Sequence, residues 1–272
     1  MTGAFRFDRR RLEELAVARH GEYVSAAPFE HVVFDDFLPE PVLDEVLEEF
    51  PSCGEQAWMS YESENERKLA SSDATPLGDA TLRLLSEFNS AAFVDFLEQL
   101  TGISGLVPDP HLEGGGLHQV VPGGHLGVHV DFNRHPRTGL ERRLNVLLYL
   151  NRDWKEEYGG ALELWSAEER RCEQRILPLF NRVVVFSTTD RSYHGHPEPL
   201  ACPEGTTRKS LALYYYSVAS AASNGGPSGS HNTLFMPRGE TDSRAKSVVR
   251  AVTPPVLVSL ARAARRRQRE RA

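Results

Sequence analysis

Residues 122–133 read PGGHLGVHVDFN, and their pattern decides the fold. A Pro-Gly-Gly turn opens onto a short run, Leu126 to Phe132, in which small and β-branched residues alternate with His129 and Asp131, the signature of a strand entered from a tight turn. Side chains two apart on a strand share a face, with Cα atoms about 6 to 7 Å apart, so this His and this Asp can converge on one ion. The same texture continues to about Val218. The runs 117–121, 126–132, 144–150, 161–165, 173–177, 182–187 and 208–218 are short, rich in Val, Leu and aromatic residues, and punctuated by Gly, Pro and Asn. Such spacing predicts a sandwich or jelly roll.

Upstream the pattern is mostly helical, with strand-like stretches where it turns. Leu12, Leu15 and Ala16 form an apolar stripe at helical spacing, and residues 29–34 (FEHVVF) read as a short strand. Pro39 and Pro41 suit a helix start, with Val42, Val46, Leu47 and Phe50 on one face before Pro51 stops it. Residues 77–100 read as two helical pieces, the second ended by Thr101-Gly102. From Ala219 the chain is loop-like, and Val256 to Arg262 begins a last helix. The expected organisation is one structural domain: helical support over 1–112, a β core over 113–220, and a loop with a basic helix over 221–272.

The chain has 272 residues, 40% apolar and 25% charged, ordinary values for a globular protein able to bury a full core. No apolar run approaches the roughly 20 residues of a spanning helix, and charges occupy the first 24 residues where a signal peptide has its apolar stretch, so a cytoplasmic, non-membrane protein is expected. Three widely spaced cysteines, Cys53, Cys172 and Cys202, form neither a disulfide framework nor a CxxC site, which leaves any metal to His and carboxylate. The net charge of −7 conceals an asymmetry: residues 262–272 carry six Arg and one Glu, leaving 25 basic against 37 acidic residues in the body. An acidic body repels polyanions, so nucleic acid is not an expected partner, and the basic tail reads as a solvated helix end.

His-x-Asp/Glu occurs four times, at His20, His111, His129 and His196, and only His129-Val130-Asp131 lies inside a convincing strand. A third ligand must come from another strand or its end. The stretch following the apolar run 183–186 supplies two candidates, His194 and His196. Any one of these histidines alone reads as a hydrogen-bonded surface residue; two His and one carboxylate together leave open positions on one side of an octahedral ion, as in non-heme Fe(II) oxygenases. In residues 208–217, Leu211 and Leu213 share a face with Lys209 and Tyr215, while Arg208, Ser210, Ala212 and Tyr214 share the other. Likewise Leu144, Val146, Leu148 and Leu150 oppose Asn145, Leu147 and Tyr149. The two mixed faces can line one pocket, in which Arg208 is a suitable carboxylate anchor.

These stretches, PGGHLGVHVDFN, RRLNVLLYLNRDW, EYGGALELW, NRVVVFSTTDRSYHGHPEPL and TRKSLALYYYS, spread over 114–217, resemble the Fe(II)- and 2-oxoglutarate-dependent dioxygenases, particularly the prolyl-hydroxylase-like branch. The resemblance implies a mostly β core with α support, an α+β chain whose core is a double-stranded β-helix (jelly roll, cupin-like) packed by N-terminal helices. It implies Fe(II) on His129, Asp131 and His194, the last because His-Gly a few residues before Pro matches the family. It implies 2-oxoglutarate on Arg208 and Tyr149 with Asn145 beside them, O2 as co-substrate, and ascorbate as a stimulant. The implied reaction oxidises an unactivated C–H bond of an amino-acid, peptide or small natural-product substrate with release of succinate and CO2. Asp131 retains the carboxylate that halogenases of this type replace. The segment 194–208 is longer than in compact members, through Cys202-Pro203-Glu204-Gly205. Residues 132–143 (FNRHPRTGLERR) read equally as a substrate-facing loop and as a solvated turn. The alternative classes are a cupin-type metabolite-binding jelly roll without oxygenase activity and an interaction module that has lost catalysis. The oligomeric state is left open.

Overall fold

The computed structural model describes residues 5–52, 58–71, 77–218 and 230–236. The expected last helix and basic tail lie outside the described residues, as does Cys53. Four helices precede the core: α1 (Arg9–Ser25), α2 (Glu40–Glu48), α3 (Asp79–Phe88) and α4 (Ala91–Thr101). Their ends carry the expected signals. Asp8 caps α1 by accepting from the Arg11 N–H, Pro41 sits in the first turn of α2, and α4 closes on Gly102 at φ 73°, a left-handed conformation that favours glycine. The start of α3 is capped from a distance, its Ala80 and Thr81 N–H groups donating to the Glu49 carboxylate beyond α2, each at 3.0 Å.

The strands are β1 (His31–Phe34), β2 (Met59–Glu62), β3 (Glu66–Ala70), β4 (Val107–Pro108), β5 (Gly116–Val120), β6 (His125–Val130), β7 (Glu141–Tyr149), β8 (Leu162–Trp165), β9 (Cys172–Ile176), β10 (Arg182–Ser187), β11 (Tyr193–His196), β12 (Arg208–Ser217) and β13 (Leu234–Phe235). Ten of them form one continuous antiparallel ladder in the order β1-β10-β7-β12-β5-β3-β6-β11-β8-β9, which rolls into the expected jelly roll, while β2 pairs with β3, β4 with β12 and β13 with β6. The joint is β3, whose Leu69 and Ala70 pair with β5 while Glu66 and Arg67 pair with β6. The β2–β3 hairpin falls in the stretch read as helical: MSYESENERKLA has no apolar alternation, and the strand forms because the neighbouring edges need its backbone groups, a case of tertiary context overriding propensity.

The two faces of the central strands divide as their alternation predicts. Leu144, Val146, Leu148, Val183, Val185, Leu211, Leu213 and Tyr215 pack against the helices, while Leu147, Tyr149, Val184, Phe186, Ala212 and Tyr214 face the barrel interior. The helix layer is keyed to the sheet through Phe93, fully buried, whose ring centroid lies 4.7 Å from Phe88, 5.0 Å from Phe7, 5.3 Å from Phe96 and 6.1 Å from Tyr215 of β12. Phe93→Ala is expected to cost about 3 to 5 kcal/mol of stability through the cavity it opens. Chemical denaturation checks this by a lowered midpoint at unchanged slope.

Candidate active site

β6 and β11 pair so that His129 lies directly opposite His194, and Asp131 stands just past the end of β6. Ligating atoms of His129, Asp131 and His194 all lie within 4.8 Å of one another. The two imidazoles present Nε2 to the carboxylate, His129 to Oδ1 and His194 to Oδ2, each at 3.5 Å. Their far nitrogens are anchored: His129 Nδ1 to the Gly127 carbonyl at 2.8 Å, His194 Nδ1 to the Ser192 carbonyl at 2.9 Å. A ring whose Nδ1–H donates to a carbonyl is fixed in the tautomer that offers its Nε2 lone pair, the usual arrangement behind a metal-bound histidine. Burial, opposed by the Asp131 charge, pushes His194 down to about 4, so it is a neutral donor at pH 7. Burial works to raise the pKa of Asp131, but the Arg142 charge, with the two histidines, overcomes this and holds its carboxyl well below the usual range. Two imidazoles and one carboxylate fit an Fe(II) ion with an open face.

Arg142 is the residue that the sequence reading missed. It is buried, its guanidinium 3.4 Å from the Tyr214 ring centroid and 4.6 Å from that of Phe132. Its Nη2 lies 3.0 Å from Asp131 Oδ2, and its Nε and Nη2 donate to Asn145 Oδ1 at 2.9 and 2.7 Å. Regular alternation along β7 points Arg143, not Arg142, inward. The ladder with β12 slips, however, pairing Tyr215 with Leu144 and Tyr216 with Arg142, so that Arg143 is the extra residue of a bulge and Arg142 turns inward. No local signal announces this bulge. Asn145, expected beside the co-substrate, donates its Nδ2 to Asp131 Oδ2 at 2.8 Å and therefore stands at the carboxylate of the cluster.

Arg208, the first residue of β12, is buried at the other end of the interior. Its Nε donates to the Gly160 carbonyl at 2.7 Å and its Nη2 to the Tyr149 hydroxyl at 3.2 Å. Among the described residues no carboxylate comes within ion-pairing distance of it. Burying a guanidinium without a counter-ion is costly, and the vacant partner suits the distal carboxylate of a dicarboxylate. Burial raises the Tyr149 pKa, so its hydroxyl stays protonated. The Gly-Gly of EYGGALELW gives Arg208 its room: at Gly160, φ 69°, a Cβ would stand 2.5 Å from Leu200 and 3.0 Å from the Arg208 side chain. His196 is absent from the ligating cluster; it too is buried, further along β11.

Residues 115–216 match the 2OG-Fe(II) oxygenase superfamily. The mouse prolyl 3-hydroxylase OGFOD1 is 30% identical over 79 residues, which are 28% of this chain and 14% of that protein. Among solved structures, a Trichoplax adhaerens prolyl hydroxylase in complex with a hypoxia-inducible-factor peptide fragment aligns with a TM-score of 0.55 and 17% identity, covering 76% of this chain and 91% of that one. A Pseudomonas putida prolyl-4-hydroxylase aligns at 0.52 and 18%, covering 75% and 100%. The fold is shared with these structures, and the resemblance read from the sequence, to 2OG-Fe(II) oxygenases of the prolyl-hydroxylase-like kind, is borne out. The Fe(II), 2-oxoglutarate, O2 and dioxygenase class expected from it are those of the matched family. No helix among the described residues is long and apolar enough to cross a membrane.

Two outcomes follow from this geometry. Burial holds His194 at about 4 and His196 well below the free value of 6.5. Between about pH 4 and 6.5 the unfolded chain therefore binds protons that the fold does not, and stability falls as pH drops through that window. Thermal melts of metal-free protein are expected to shift downward from pH 7 to pH 5; a flat profile contradicts the burial. Gly160→Ala is expected to destabilise the fold by about 1 to 3 kcal/mol through overpacking and a strained backbone, read in the same melts.

Proposed function

We propose that this chain is an Fe(II)- and 2-oxoglutarate-dependent dioxygenase that oxidises a C–H bond of an amino-acid, peptide or small natural-product substrate, releasing succinate and CO2. The observation that carries the reading is a buried Arg208 with no acidic partner among the described residues, set in the same interior as the His129, Asp131 and His194 cluster. Residues 113–220 supply the catalytic core in this reading, and 1–112 its support. Bound at the cluster, Fe(II) with 2-oxoglutarate supplies the O2-dependent chemistry, in which decarboxylation of the co-substrate is coupled to oxidation of the substrate.

The chain's own contribution is positioning and exclusion of water. His129 and His194 would hold the ion through Nε2, since the carbonyls of Gly127 and Ser192 occupy both Nδ1 atoms. Asp131 would be left with Oδ1 to offer it, because Arg142 and Asn145 both act on Oδ2. Arg208 binds the distal carboxylate, helped by the Tyr149 hydroxyl. Leu147, Leu164 and Phe186 belong to an apolar cluster of this interior that includes Tyr149, with the Phe186 ring centroid 4.8 Å from that of His194. A low-dielectric chamber of this kind strengthens the charged contacts within it.

A prolyl peptide is the substrate class this reading puts first, since the mouse relative is a prolyl 3-hydroxylase and the aligned structures are prolyl hydroxylases, one in complex with a peptide. Nucleic acid has no part in it. A reducing, cytoplasmic setting suits Cys172 and Cys202, which are both free thiols.

Metal-free protein reconstituted with Fe(II), ascorbate, air and 2-oxoglutarate is expected to form succinate, slowly alone and faster with a substrate peptide. Folded protein that makes no metal-dependent succinate would leave the metabolite-binding jelly roll as the better reading. Arg208→Ala is expected to weaken 2-oxoglutarate by about 30-fold or more, a loss of about 2 kcal/mol or more, with Fe(II) binding nearly intact. Tyr149→Phe should cost less, about 0.5 to 1.5 kcal/mol. Anaerobic titration of 2-oxoglutarate into the Fe(II) protein, followed by the visible charge-transfer band of the chelate, measures both.

A further inference from the structure

β11 carries two histidines, and the geometry separates their duties. On a regular strand residues two apart repeat the same contacts one step along. Here the pairing slips: His194 lies opposite His129, but His196 lies opposite Leu126, so three steps of β6 match two of β11. Gly195 makes the slip possible, because a Cβ there would stand 2.8 Å from the carbonyl oxygens of both Leu126 and Gly127. The glycine beside the metal-site histidine thus serves the neighbouring strand. The consequence is that His196 is drawn away from the ligating cluster while remaining 4% exposed.

Its ring differs from the other two in its bonding. His129 and His194 each fasten Nδ1 to a backbone carbonyl, whereas the buried Nδ1 of His196 has no hydrogen-bond partner among the described residues. A buried polar atom left unpaired costs about 1 to 3 kcal/mol, and in native folds such an atom asks for an explanation such as a ligand or a functional role. The charges that act on the ring are all basic, Arg208 first, then Lys68, His125 and His129. Arg208 and His129 are thus both near enough for their charges to act on the His196 ring. His118 of β5 feels Lys68, Arg208 and Arg142 in the same interior. Surroundings of this sign suit an anion.

We propose that His196 is a further co-substrate-binding residue, its imidazole donating a hydrogen bond to the distal carboxylate of 2-oxoglutarate alongside Arg208. The inference rests on the oxygenase reading above. A neutral imidazole adds a donor at that end without adding a second buried charge, and it orients the carboxylate from the β11 side while Tyr149 approaches from β7.

The test compares wild type, His196→Val and His196→Gln as full-length proteins, loaded anaerobically with Fe(II). Each is titrated by calorimetry with 2-oxoglutarate and with 2-oxopentanoate, in which a methyl group replaces the distal carboxylate. His196→Val is expected to raise the Kd for 2-oxoglutarate by about 5- to 20-fold, to leave that for 2-oxopentanoate within about twofold, and to leave Fe(II) affinity unchanged. His196→Gln, which keeps an N–H donor, should recover part of the loss. An unchanged Kd for 2-oxoglutarate overturns the proposal, and so does an equal loss for both keto acids, which would mark His196 as packing alone. Loss of Fe(II) on replacing His196 would instead make it a ligand. A wild type that binds Fe(II) but not 2-oxoglutarate overturns the oxygenase reading itself, and this inference with it.

Discussion

The antiparallel pairing of β6 with β11 places His194 opposite His129, and side chains directly opposite on one face of such a pair stand about 4.5 to 5.5 Å apart at Cβ. That spacing lets two imidazoles reach one ion, while Asp131, two residues beyond His129, lies near enough to complete the set. Everything else in the interior is arranged around this pair. The carbonyls of Gly127 and Ser192 turn the rings, and Arg142 with Asn145 turns the carboxylate. Phe186 and Phe235 add aromatic contacts to the two rings, with centroids 4.8 Å from His194 and 5.4 Å from His129.

An interior of this composition is expensive. Arg142, Arg208, His194 and His196 are buried and Asp131 is largely so, and within this group the ion pair of two formal charges is that of Asp131 with Arg142. Such burial destabilises the folded state unless a ligand completes it, and the compensating stability comes from the opposite faces of the same strands. Leu144, Val146, Leu148, Val183, Val185, Leu211 and Leu213 are almost wholly buried against the helices through the phenylalanine layer around Phe93. The division of labour between the two faces explains why the helices are needed although none of them contributes a residue to the cluster.

β-Bulges supply the two departures from regular pairing that matter. One, opposite Tyr215 and Tyr216 of β12, turns Arg142 rather than Arg143 inward. The other, at Gly195, sets His196 apart from His194. A one-residue slip exchanges the faces of every side chain beyond it, so each bulge changes which basic group meets the His129, Asp131 and His194 cluster and which stands apart from it.

Strand positions, the faces of β7 and β12, and the juxtaposition of His129 with Asp131 and of Arg208 with Tyr149 were legible in the amino-acid sequence, because a two-residue period and a preference for apolar residues on the helix side are local properties. His194 could be chosen over His196 only through family likeness. The physical ground for that choice is the register with β6, together with the carbonyl behind His194 that His196 lacks among the described residues. The β2–β3 hairpin and the inward turn of Arg142 were not legible at all. The first forms to satisfy the edges of β5 and β6, more than forty residues away in the chain, and the second follows from a slip against β12, so both depend on backbone hydrogen bonds between segments whose pairing no local pattern encodes.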